Sequence, residues 1–387
     1  MLTGLNAGTY PITATDANGC SVSTSVTLYQ PNANHCCFTT SNPNAGSNIA
    51  SQSNIILLPN TQVSSLTAAN LLSNYGSGGV IQGKKFYIDG ILTIDADLTL
   101  DACDIWFTPF SQIIVQGGNT LTLNNTNLSA SCDWWVGIEV QQAQNKVSST
   151  GGSINRAIVG IHASQDAIVE LDGTTWNEIG QAGIIFATMN TTSYTGYVKN
   201  CQFNSTGLQP NSITTQHGIL IRDAVHLNLG NTNAGNHFDG VRCGISINNA
   251  APINSTIVLY DNTFENIHAP LYQTNLSTQE QEIVNHTYLE DQGTAIFANF
   301  NMTQNAMLQT NNLFVDHLGT PSQNMVQCDR GIVTIGSNTQ ITNQKLDNCL
   351  LGIMCHSPFK RKYYLQKIKL KMLTWELSYL ATMTLVL

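Results

Sequence analysis

From Val136 to Cys355 the chain carries short runs in which apolar and polar positions alternate. Eight of these runs open alike, with a small residue and then isoleucine: Gly137-Ile138, Gly160-Ile161, Gly183-Ile184, Gly218-Ile219, Gly244-Ile245, Ala295-Ile296, Gly331-Ile332 and Gly352-Ile353. Two places after each Ile stand Val140, Ala163, Phe186, Ile221, Ile247, Ala298, Thr334 and Cys355, nearly all apolar. Between them lies a mixed column of Glu139, His162, Ile185, Leu220, Ser246, Phe297, Val333 and Met354. Successive side chains of a strand point to opposite faces, so each run predicts a strand with its Ile inward and the mixed column outward. Recurrence at roughly 21–26 residues, with longer gaps where loops intrude, predicts coils stacked one on another. The isoleucines would then form one internal ladder with rungs about 4.8 Å apart. The glycine before each suits a corner where a Cβ would clash or φ is positive.

A second mark precedes the first. Ile154-Asn155, Trp176-Asn177, Phe203-Asn204, Phe238-Asp239, Phe264-Glu265, Phe314-Val315 and Leu346-Asp347 each place a large apolar residue upstream of a small-Ile corner. The gap to the corner is short in four cases and long at 203–218, 264–295 and 314–331. Insertions are therefore expected at one turn of the coil, where repeat arrays commonly build a binding surface.

Composition narrows the picture. Only 10% of residues are charged, but 42% hydrophobic content with β-branched periodicity argues against disorder. Asn tolerates left-handed backbone and can bond its counterpart one coil away. Residues 1–359 hold 9 Lys and Arg against 23 Asp and Glu, a net charge near −14. Such a body repels phosphate backbones, so nucleic acid is not expected as a partner. Residues 360–371 alone hold six basic residues, and from Ser357 the repeat marks cease. That tail reads either as a basic amphipathic membrane helix or as sequence foreign to the fold. No run of 18 apolar residues predicts a transmembrane segment, and Met1 is not followed by a secretory h-region.

The ten cysteines are not spaced as a small disulfide scaffold. Cys103, Cys132, Cys201, Cys243, Cys328, Cys349 and Cys355 lie in or beside apolar phrases, where a thiol packs as a small hydrophobe. His35 before the vicinal Cys36-Cys37 suggests a metal, but no CxxC pair supports one.

Near the N-terminus, Leu5 to Cys20 and Ser21 to Leu28 read as two alternating strands around Asp16-Ala17-Asn18-Gly19. The phrase Gly4-Leu5-Asn6-Ala7-Gly8-Thr9-Tyr10, with Thr15-Asp16-Ala17-Asn18-Gly19-Cys20, resembles the closing half of an SprB-type repeat, an immunoglobulin-like module of large surface adhesins in gliding bacteria. The resemblance covers about residues 2–31 and lacks the opening half, including the usual partner of Cys20. It implies that the chain belongs to a longer multidomain protein at the bacterial surface or outside the cell. Residues 80–356 are similar to right-handed parallel β-helix proteins, which include pectate lyases, polygalacturonases and adhesive rods. The polygalacturonase motifs are missing; His217-Gly218 lacks the preceding glycine.

Several residues could carry chemistry. Glu139 and His162 share the outward position of consecutive coils, which suits an acid/base pair or an exposed ion pair. Ile94 to Asp101 reads as one strand with Asp95, Asp97 and Asp101 on its polar face, either a Ca²⁺ site or a solvated face. A uronate lyase would also need a basic residue there, and Lys84 and Lys85 read as the lead-in to a strand. Beside the insertions, Asp239 and Arg242 with Tyr272, His286 and Tyr288 would form a shallow notch suited to a sugar ring; the bland alternative is that these loops shield the strands beneath.

The expected fold is all-β: a right-handed parallel β-helix over 80–356, a partial β-sandwich hairpin at 1–31, a linker and cap at 32–79, and an atypical tail at 357–387. The expected function is an extracellular or cell-surface structural or adhesive solenoid contacting a polysaccharide or cell-surface glycan, with no cofactor expected and Ca²⁺ the one ion its carboxylates would suit. The rival is a polysaccharide lyase or glycoside hydrolase. Two outward carboxylates sharing a groove with a basic residue would favour that rival.

Overall fold

The computed structural model describes residues 8–15, 21–28, 55–58, 66–131, 134–205, 215–249, 254–269, 291–300, 311–316, 325–356, 363–366 and 368–372. By internal contacts the chain divides into Met1–Ser53 with Ser131–Asp133, and the remainder. In the first unit, Gly8–Thr15 and Ser21–Leu28 pair antiparallel, with Gly8 opposite Leu28 and Thr15 opposite Ser21. This is the expected hairpin.

The second unit is a right-handed parallel β-helix. Each coil contributes one strand to each of three all-parallel sheets of 12, 10 and 11 strands. Parallel strands linked through the neighbouring sheets wind with the handedness that right-twisted strands impose. Sheet I runs from Ile55–Leu58 to Lys369–Met372, sheet II from Ile91–Ile94 to Leu351–His356, and sheet III from Val80–Gln82 to Tyr363–Gln366. The array thus extends past both expected limits. Ile55–Leu58 pairs with Lys85–Ile88, and Tyr363–Gln366 pairs with Asn338–Thr342. The tail escapes the sequence pattern because its strands carry Lys and Tyr in place of Asn and Thr. One helix, Ala68–Tyr75, is capped by the Thr67 side chain and buries Ala68 and Leu71. Among the described residues no helix is long and apolar enough to cross a membrane.

The isoleucine ladder of sheet II forms as expected. Ile138, Ile161, Ile184, Ile219, Ile245, Ile296, Ile332 and Ile353 stand in unbroken register. All but the terminal Ile353 are buried. Beside it, on sheet I, an aromatic stack fills the interior: Trp176, Phe203, Phe238 and Phe264 lie ring on ring at 4.6, 4.7 and 4.9 Å.

These two ladders explain the glycines. A Cβ on Gly183 would sit 2.6 Å from Phe203 Cδ1 and 2.7 Å from the Gly218 carbonyl oxygen. The corner glycine therefore makes room for the next coil's ring. Backbone conformation is not the cause at most corners, since only Gly137 among them has a left-handed φ, +116°. At Ala295 the next coil presents Met325 in the ring position, in register with Phe264. An unbranched thioether can bend away from a methyl group that a rigid ring could not avoid.

Met325 also corrects the sequence reading. The expected member of this column, Phe314, lies in Asn311–Asp316 of sheet III, in register with Val258 and facing outward. Its Phe-Val-Asp sequence imitates the phrase of sheet I. The interruptions consequently do not share one turn. Residues 206–214 and 270–290 join sheet I to sheet II, whereas 301–310 join sheet II to sheet III and 317–324 join sheet III to sheet I.

Candidate functional site

The outward positions decide what the solenoid can contact. On sheet II, Glu139 and His162 are register neighbours, and His162 Nδ1 lies 2.9 Å from Glu139 Oε2. Desolvation opposes ionisation of Glu139, but hydrogen bonds from His162 and Gln141 outweigh it and hold the carboxyl below its usual range. A carboxylate so occupied binds well but is a weak proton donor at neutral pH.

Further along the same face the column turns apolar. Ile185 and Leu220 form one buried cluster with Ala182, and Phe297 and Val333 another with Cys243. Between them lies a polar group that the sequence did not reveal. His217 Nε2 meets Asp291 Oδ2 at 2.8 Å, and Ser246 Oγ donates to the same oxygen at 2.5 Å. All three residues are buried. Burial raises the Asp291 carboxyl, but hydrogen bonding and charge from His217, then the Ser246 hydroxyl, bring it below the ordinary value. His217 and Ser246 converge on one carboxylate oxygen, so this is not a nucleophile–base–orienter relay, in which the histidine would stand between the other two. Its evident work is to fasten Asp291, where residues 270–290 return to sheet II. The departure is fastened similarly: Asp329 Oδ1 lies 2.9 Å from His268 Nδ1, and its Oδ2 accepts the Ala269 N–H at 2.7 Å. The available signal was the position before each corner glycine, where His217 replaces Val159 and Ala182.

Of the notch residues only Asp239 and Arg242 lie within the described residues. Asp239 Oδ1 accepts from Asn266 Nδ2 at 2.8 Å. Arg242 stands at the corner between sheets I and II, where its N–H bonds Thr215 O and its carbonyl receives the Gly293 N–H. Tyr272, His286 and Tyr288 lie outside the described residues.

Asp95, Asp97 and Asp101 do not share one strand. Ile91–Ile94 of sheet II ends before Leu98–Asp101 of sheet III begins, and residues 95–97 turn the corner between them. Asp95 accepts the Ala69 N–H, Asp97 the Thr120 N–H, and Asp101 the Gln82 amide. Among the described residues no three His, Cys, Asp or Glu side chains gather as metal ligands would.

Sheet III presents exposed aromatic rings among polar side chains. Its outward register runs Ser148, Glu170, Tyr197, Asn228, Val258, Phe314, Gln340 and Tyr364. Tyr197 is 39% exposed and Tyr364 47%. Beside Tyr197, Lys146 pairs with Glu170 at 2.6 Å and Lys199 with Asp172 at 3.2 Å. Lys199 Nζ also lies 5.0 Å from the Tyr197 ring centre. The face therefore combines aromatic surface with carboxylates, amides and ammonium groups, the mixture that contacts a hydroxyl-rich ligand.

No protein-family model matches the chain, and no curated protein is similar to it. Among solved structures, a family 28 exopolygalacturonase of Yersinia enterocolitica aligns over 95% of this chain and 84% of its own, at 8% identity and a TM-score of 0.21. So loose an alignment transfers no residue and no activity.

Proposed function

We propose that this chain is an extracellular or cell-surface solenoid that holds an extended, uncharged polysaccharide along the outward face of sheet III. The column of Tyr197, Val258, Phe314 and Tyr364, spaced by Asn228 and Gln340, carries the reading. Strands recur every ~4.8 Å, comparable to the length of one pyranose ring, so successive rungs can meet successive sugars. The net charge near −14 over residues 1–359 disfavours polyuronides and favours neutral chains. An open sheet face gives many weak contacts, as suits adhesion by a repeated module.

A polysaccharide-cleaving activity is the second reading, favoured by Glu170 and Asp172. They are two residues apart on one face of one strand, with Cα atoms roughly 6–7 Å apart, which sets two carboxylates side by side as a glycosidase pair requires. Their lysine partners already occupy both groups, and the open face does not exclude water. Pull-down on cellulose, chitin and polygalacturonate, with parallel assay for reducing ends, tests both readings. Retention on a neutral polymer, lost in Tyr197→Ala/Tyr364→Ala, is the expected result. Retention unaffected by that variant, or preference for polygalacturonate, would overturn the sheet III assignment. Release of reducing ends abolished by Asp172→Asn would replace it with the enzymatic reading.

A further inference from the structure

We propose that Cys328 and Cys349 close a disulfide between successive coils, a redox-controlled staple near the C-terminal end of the solenoid. Sheet I register sets Met325 beside Leu346 and Val326 beside Asp347. It continues through two left-handed residues, Gln327 and Asn348, with φ of +54° and +57°. The Gln327 N–H bonds Asp347 O at 3.0 Å, and the Leu350 N–H bonds Cys328 O at 3.2 Å. Cys328 and Cys349 are thus the next pair on adjacent rungs. Rung spacing of ~4.8 Å falls inside the Cα separation that a disulfide tolerates, about 4.4–6.8 Å.

Both side chains point into the core, each 1% exposed. Cys328 Sγ lies 3.6 Å from Val326 O and Cys349 Sγ 3.8 Å from Met325 O of the adjacent rung; interaction with Cys349, then burial, pushes the Cys328 thiol well above the ordinary value. The exchange can begin at either thiol and balances identically from both. Packing alone does not require sulfur here, because Ile267 fills the same column one coil earlier, its carbonyl bonded by the Asp329 N–H.

The oxidant is a small-molecule disulfide such as oxidised glutathione. Where the exchange begins at Cys349, its S⁻ attacks one sulfur of the reagent and expels one glutathione thiolate, leaving a mixed disulfide. Cys328 then loses its proton to solvent and attacks the Cys349 sulfur, expelling the second thiolate. Two protein thiols are oxidised by two electrons as one glutathione disulfide is reduced to two thiols. The buried pair meets the reagent when the terminal coils open locally or before they close in folding.

The test uses the full chain, incubated folded and separately refolded with oxidised glutathione, then alkylated in denaturant, digested and read by mass spectrometry. A linked peptide pair joining Cys328 to Cys349, two hydrogen masses lighter than the two free peptides, is expected. Recovery of both cysteines alkylated from protein with native circular dichroism would overturn the proposal, as would linkage of either to another cysteine. Oxidation should also raise the melting midpoint by several degrees in wild type and leave Cys328→Ser/Cys349→Ser unmoved. An equal rise in that variant would refute the staple as the source of stabilisation.

Discussion

Aromatic side chains occur on sheet I and on sheet III of the same solenoid, in opposite circumstances. On sheet I, Trp176, Phe203, Phe238 and Phe264 face inward, fully buried, each ring flat against the next coil's. On sheet III, Tyr197 and Tyr364 face outward and are 39% and 47% exposed, with Phe314 half-buried between them. The inward rings stand on four consecutive rungs and the column continues with Ile154 on one side and Met325 on the other, because a gap would leave a void in a close-packed interior. The outward ones are spaced by Asn228 and Gln340, because solvent fills whatever they leave. Residue type alone therefore does not distinguish the inward column from the outward one in this fold; burial does.

The largest effect should come from emptying one inward position. Phe238→Ala removes an inner ring of the stack and should destabilise the solenoid by about 3–5 kcal/mol, read as a lowered midpoint in urea. A loss below about 1 kcal/mol would mean that the stack does not support the fold. Next comes Gly183→Ala, whose methyl would meet Phe203 and the Gly218 carbonyl. Overpacking of this kind costs about 1–3 kcal/mol. Ala295→Gly, opposite Met325, should cost no more than the glycine entropy of roughly 0.5–1 kcal/mol. Equal losses at the two corners would refute the coupling of corner to ring.

Much of the inward half was legible in the sequence. A buried ladder repeats the same demand on every coil, so Ile138 to Ile353 and the small residues before them, seven glycines and Ala295, write one phrase eight times. The reading failed where a local sequence imitated the phrase, as Phe314-Val315 did, and where Met325 filled the slot without resembling its neighbours. The candidate sites were legible only where register alone sets the contact: Glu139 and His162 meet as expected. His217, Ser246 and Asp291 come together across residues 45 and 74 positions apart, and no periodicity announces that. Asp95 and Asp97 were misplaced because Ile94 to Leu100 alternates perfectly across a corner, and alternation does not register a change of sheet.

Inside and outside differ for charged groups as well, and pH separates them. Asp291 is buried on the outer side of sheet II, with its carboxyl lowered against desolvation by His217 and Ser246. A carboxyl depressed on folding contributes stability above its unfolded value of about 3.9, and that contribution fades as pH falls through the folded value. Asp291→Asn should therefore cost about 1–3 kcal/mol at pH 7. The gap to wild type should narrow once the pH drops below about 4. A gap of constant size from pH 7 to pH 3 would assign the loss to shape rather than to the carboxylate's hydrogen bonds.

The smallest effect is expected at the outward ring. Tyr197 leaves no cavity when truncated, since solvent replaces it, and its contact with Lys199 is half-exposed on both sides. Tyr197→Ala should shift unfolding by no more than about 0.5 kcal/mol, against several for Phe238→Ala on the neighbouring sheet. Phe314→Ala probes the boundary between the two classes, because its ring is outward yet half-buried against Val258 and Gln340. Its cost should fall between those of Tyr197 and Phe238 when the three variants are unfolded in the same urea series. If Tyr197→Ala destabilises as much as Phe238→Ala, the outward column is part of the structural frame and its spacing owes nothing to a ligand. If it does not, the Tyr197 ring is not required by the structural frame, as the proposed sheet III contact demands.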